Sequence, residues 1–105
     1  MLTKYEITGI WFSLQNLWNW TQQNKPDNFT EIPYSGKWLM VSLPYFRRKI
    51  PDLTSEELTF AFNQLRMQYH NLHFEQKRGN WFYSLQEDKG CLNWGEYQQL
   101  TSEAF

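Results

Sequence analysis

Apolar side chains recur at three- and four-residue steps through residues 6–24, at Ile7, Ile10, Trp11, Leu14, Leu17 and Trp18, with Gln15, Asn16, Asn19 and Gln22 between them. This spacing predicts an amphipathic helix. Thr3 or Thr8 is placed to cap it, and Gly9 weakens its first turn by about 1 kcal/mol relative to alanine. Pro26 disfavours helical geometry at the residue before it, so Lys25-Pro26-Asp27-Asn28 ends the helix. Residues 26–36, with two prolines and a Ser-Gly pair, read as an irregular connection.

The run 37–43 is nearly all apolar and is bounded by Ser35-Gly36 and Pro44, which predicts a short buried strand. Residues 44–52 read as a loop or at most one helical turn. Thr54-Ser55-Glu56-Glu57 is a capping box: the threonine hydroxyl satisfies a free backbone N–H and Glu57 reaches back to the cap. Leu58, Ala61, Phe62, Leu65, Tyr69 and Leu72 follow at helical spacing, giving a helix of about four turns.

Residues 72–86 predict a hairpin. With Gly79-Asn80 as a two-residue turn, Arg78 faces Trp81, Gln76 faces Tyr83 and Phe74 faces Leu85. Leu72, Phe74, Trp81, Tyr83 and Leu85 then share one face, while His73, Glu75, Lys77, Ser84 and Gln86 share the other, with Phe82 the exception. Asn93 and Glu96 are spaced to cap a short helix whose inner stripe is Trp94, Tyr97 and Leu100. The order implies one α+β domain: a small antiparallel three-stranded sheet covered on one face by two helices, with a short C-terminal helix.

At 105 residues such a core needs no metal or disulfide staple, and the single cysteine, Cys91, cannot close a disulfide within the chain. Ten basic and eleven acidic side chains give a net charge of −1, which excludes binding of polyanions through overall charge. The longest apolar runs fall far short of a membrane span. The stretch after Lys4 lacks an apolar signal core and carries Glu6 early, so secretory targeting is not expected. A reduced, cytoplasmic protein without membrane association is the expectation.

The candidate chemistry is thin. The five glycines are isolated, so neither a dinucleotide fingerprint nor a phosphate-binding loop can be assembled. His70 and His73, with Glu75 and Cys91, lack the paired ligands by which a zinc site declares itself. Nothing around Cys91 lowers a thiol pKa, and the adjacent acids Glu56-Glu57 and Glu87-Asp88 are explained by capping and turn chemistry. No enzyme activity and no cofactor are expected.

Aromatic residues make up 19% of the chain, which admits two readings: large rings that build the core of a short chain, or six Trp and six Tyr in excess of what so small a core encloses, with some rings left at a surface that meets a partner. Residues 32–51 hold the cations Lys37, Arg47, Arg48 and Lys49 and no acid, and Lys77-Arg78 sits beside Trp81 at the hairpin tip. These features point to a non-catalytic protein-binding module: an adaptor, inhibitor, immunity or assembly factor. Its candidate anchors are Trp20, Trp38, Tyr45, Phe46, Phe82 and Trp94, with Arg47, Arg48, Lys49, Lys77 and Arg78 as steering charges. The order of elements also resembles the outline of a winged-helix domain, which implies nucleic-acid binding as the alternative. The sequence departs from that outline in two places: a second helix is needed between the strand and the capped helix, where residues 44–51 allow only a short one, and Glu56 and Glu57 stand at the end that would meet bases. A homodimer through a free sheet edge is a further expectation.

Overall fold

A computed structural model describes residues 2–24, 38–85 and 97. The elements run α1 (Lys4–Asn24), β1 (Leu39–Val41), α2 (Leu43–Phe46), α3 (Ser55–Gln68), β2 (His73–Lys77) and β3 (Asn80–Ser84). The three strands form one antiparallel sheet in the order β1-β3-β2. No described helix is long and apolar enough to cross a membrane.

Both long helices open with reciprocal caps. In α1 the Glu6 backbone donates to the Thr3 hydroxyl at 3.1 Å and the Thr3 N–H donates to the Glu6 carboxylate at 2.8 Å, so Thr3 rather than Thr8 is the cap. In α3 the Glu57 N–H donates to Thr54 at 3.1 Å and the Thr54 N–H returns to the Glu57 carboxylate at 3.0 Å. That bond from Thr54 holds the Glu57 carboxyl below its ordinary pKa.

The expected strand over 37–43 is shorter, because Leu43 starts α2. Pro44 falls in the first turn of that helix, where its missing N–H leaves no bond unmade. All three residues of β1 are buried because the sheet is covered on both faces. Leu39, Val41, Trp81 and Tyr83 pack under Ile10, Leu14, Leu17 and Trp18 of α1 and Leu58, Phe62 and Leu65 of α3. Trp38, Met40, Phe82 and Tyr97 form a second cluster on the opposite face. Phe82 therefore follows the alternation after all: its face has a core of its own. Of the expected C-terminal helix only Tyr97 is among the described residues, with its ring centroid 5.5 Å from that of Phe82.

Three contacts fasten the layers. The Tyr83 hydroxyl donates to the Leu14 carbonyl at 2.7 Å, and burial pushes that phenol well above its ordinary pKa. The Trp81 indole N–H donates to the Thr59 hydroxyl at 3.1 Å. Trp11 stacks on Tyr69 with centroids 4.2 Å apart and planes 9° from parallel.

The hairpin differs from its expected register by one turn residue. Arg78 and Gly79 form the turn, with φ of 51° and 80°, and Lys77 pairs with Asn80. Phe74 thus faces Tyr83 and Gln76 faces Trp81, which leaves every side chain on its expected face. This register sets Phe62 against both members of the pair, 4.9 Å from Phe74 and 6.4 Å from Tyr83 between centroids. A turn with two left-handed residues favours Asn-Gly, and a long side chain at the first position is strained there. Arg78→Asn should therefore stabilise the fold by about 1 kcal/mol. A melting temperature that stays level or falls would show that the turn is not of this kind.

Candidate functional site

α2 and the turn after it stand against the first half of α1. Phe46 is buried in the main core and pins α2 down, and its carbonyl accepts the N–H of Lys49 at 3.1 Å and of Ile50 at 3.0 Å. The Arg47 side chain then ties the turn shut, its Nε donating to the Leu53 carbonyl at 2.9 Å. Arg48 and Lys49 are consequently displayed on a hydrogen-bonded turn rather than on a loose loop.

Between this turn and α1 lies a cleft of about 280 Å³ lined by Gly9, Ile10, Phe46 and Ile50, with Tyr45, Arg48 and Lys49 around it. Its inner side is formed by buried Ile10 and Phe46, its outer side by exposed Arg48 and Lys49. The Arg48 guanidinium stands 5.4 Å from the centroid of the Tyr45 ring. Partial burial raises the Tyr45 phenol above its ordinary pKa, against the opposing pull of Arg48, so at neutral pH it remains an O–H donor. The Glu6 carboxylate also lines the cleft but is bound in the α1 cap.

The aromatic residues named from the sequence, with Arg48 and Lys49, fall into four groups. Tyr45, Arg48 and Lys49 line the cleft. Trp20 is on α1, with 45% of its surface exposed. Trp38, Phe46 and Phe82 are buried and are corrected from exposed anchors to core residues: Phe46 belongs to the main cluster, Trp38 and Phe82 to the second. Trp94 lies outside the described residues, as do Lys37 and Cys91. Among the described residues no three His, Cys, Asp or Glu side chains gather into a metal site.

The two basic clusters emerge at the same end of the sheet, since Val41, which leads into α2, pairs with Trp81 just beyond the hairpin tip. One cation of each cluster is engaged with its own neighbours. Lys77 lies 4.0 Å from the Glu75 carboxylate and 5.6 Å from the Tyr97 ring centroid, and Arg47 is held by Leu53. Arg66, on α3, donates to Asn63 at 3.0 Å and stands 4.9 Å from the Phe74 ring centroid.

Comparison with family models, curated proteins and solved structures finds no match to this chain. What bears on function is then the surface itself, and its main feature is one that periodicity alone passed over. Tyr5, Phe12 and Trp20 on α1 and Phe60 and Met67 on α3 are exposed. Residues 7–24 carry no charged side chain, so the outer side of α1 is aromatic among Asn, Gln and Thr. The signal was present in the sequence. Phe12 sits opposite the Ile7-to-Trp18 stripe, Tyr5 falls nearly on its line two turns earlier, and Trp20 lies further round the helix.

Proposed function

We propose that the chain is a small non-catalytic protein-binding module, of the adaptor, inhibitor, immunity or assembly-factor kind, acting in the cytoplasm. It docks through exposed aromatics and the basic turn after α2. The observation that carries this reading is the set of large apolar side chains left outside the core, led by Tyr5 at 88% and Met67 at 76% exposure. Large apolar side chains held in solvent are candidate contacts for a partner, and aromatic residues are common anchors of protein interfaces. Arg48 and Lys49 supply charge to steer an encounter.

Replacing Tyr5, Phe12 and Trp20 together by alanine tests it. Changes at exposed positions each shift stability by about 0.5 kcal/mol or less, so the triple variant should lose no more than about 1.5 kcal/mol and stay folded while partner capture, quantified against the native chain, is lost. Undiminished capture would overturn the assignment of this face, and a collapsed melting temperature would return the rings to the core.

One observation favours a nucleic-acid reading. The order α1-β1-α2-α3-β2-β3, with β3 between β1 and β2 and Arg78 at the hairpin tip, resembles the winged-helix outline, with the four-residue α2 in the place of its second helix. In that outline α3 would enter the groove. Its exposed face carries Glu56, Phe60 and Met67, with Arg66 turned to Asn63 and Phe74, which suits protein better than phosphate. Titration with single- and double-stranded DNA and RNA at low and near-physiological salt separates the two. Binding that falls steeply with salt and weakens in a Lys77→Ala, Arg78→Ala variant would replace the protein-binding reading.

A further inference from the structure

We infer that the cleft between α1 and α2 receives a bulky apolar side chain presented by an acidic segment of the partner. This rests on the protein-binding reading and names the chemistry of what binds there. The first observation is Gly9. Inside a helix glycine is less favourable than alanine by about 1 kcal/mol. Here the backbone does not have the positive φ that would call for glycine, and a Cβ at this position would meet nothing within 4 Å. Neither the packing of this chain nor its backbone geometry explains the residue. Glycine does, however, let another chain approach a helix closely, and Gly9 lines the cleft. Local disfavour without a local reason is expected where a surface is kept for use.

The second observation is the chemistry of the cleft. Its volume of about 280 Å³ equals the liquid volume of roughly nine waters, enough for a leucine or phenylalanine side chain. Ile10, Phe46 and Ile50 offer that side chain an apolar seat. Arg48 and Lys49 stand on the outer side, and the one acid among the described lining residues, Glu6, is bound to the Thr3 N–H. Two cations against one carboxylate leave the rim net positive, and the Tyr45 O–H adds a donor for a carboxylate. The bonds of the 46–53 turn hold these groups in place beforehand, which lowers the entropy lost on binding.

Selection of random short peptides displayed against the full chain tests the inference. Recovered peptides should carry a bulky apolar residue flanked by Asp or Glu and should bind more weakly as salt rises. Gly9→Leu, which fills the cleft, should weaken them by about tenfold or more while raising the melting temperature through better helix propensity. Gly9→Ala is the gentler variant, expected to stabilise the helix and weaken binding less. Arg48→Glu with Lys49→Glu should also weaken binding and reverse the sign of its salt dependence. Peptides that bind Gly9→Leu as tightly as the native chain would place the site elsewhere and overturn the inference. Recovery of only neutral or basic peptides, or of none, would overturn it as well. The protein-binding reading stands or falls separately, on capture by the Tyr5, Phe12 and Trp20 variant.

Discussion

Trp81→Ala is expected to destabilise the fold by about 3–5 kcal/mol, a large fraction of the roughly 5–15 kcal/mol that holds a domain together. Trp81 is fully buried on the central strand, paired with Val41 on one side and Gln76 on the other. Alanine there leaves a cavity between the sheet and α3, and it deletes the indole N–H that reaches Thr59. Urea unfolding measures the loss. Trp81→Phe separates its parts, because most of the ring volume stays and the hydrogen bond goes; it should cost about 1–2 kcal/mol. A loss under about 1 kcal/mol for the alanine variant would mean that the indole is not enclosed.

Phe82→Ala is the second large effect, again about 3–5 kcal/mol. The alternation of the hairpin marks Phe82 as an outward ring and hence an anchor for a partner. Its burial against Trp38, Met40 and Tyr97 makes it a core residue of the opposite face. Urea unfolding decides between these roles. A variant that unfolds at clearly lower denaturant confirms the second core, whereas one that unfolds at the native midpoint and loses partner binding would restore the anchor.

That contrast shows what was legible in the sequence. The long helices were readable because an amphipathic stripe and a Thr-x-x-Glu cap are local signals, and Thr54 and Glu57 make the bonds that their spacing implies. The hairpin faces were readable because shifting the turn by one residue in this way preserves the odd-even pairing of Phe74 with Tyr83. Trp38, Phe46 and Phe82 were misread for one reason: their burial depends on distant partners such as Tyr97 and α1, and local patterning carries no record of these. Tyr45, Arg48 and Lys49 could be named from charge and aromatic content alone. That Gly9 and Ile10 would stand across from them depended on how α2 docks, a tertiary fact.

The strand order bears on how this chain can be recognised. Its sheet has two rims, β1 and β2. One offers three residues and then turns away at Pro44; the other displays His73, Glu75 and Lys77, with charge along it. A short rim and a charged one are poor templates for a visiting strand, whether from a second copy or from an aggregate. Under the protein-binding reading, these described edges discourage recognition by main-chain annealing and would leave specificity to side chains fitting side chains, a mode in which single substitutions can redirect the choice of partner.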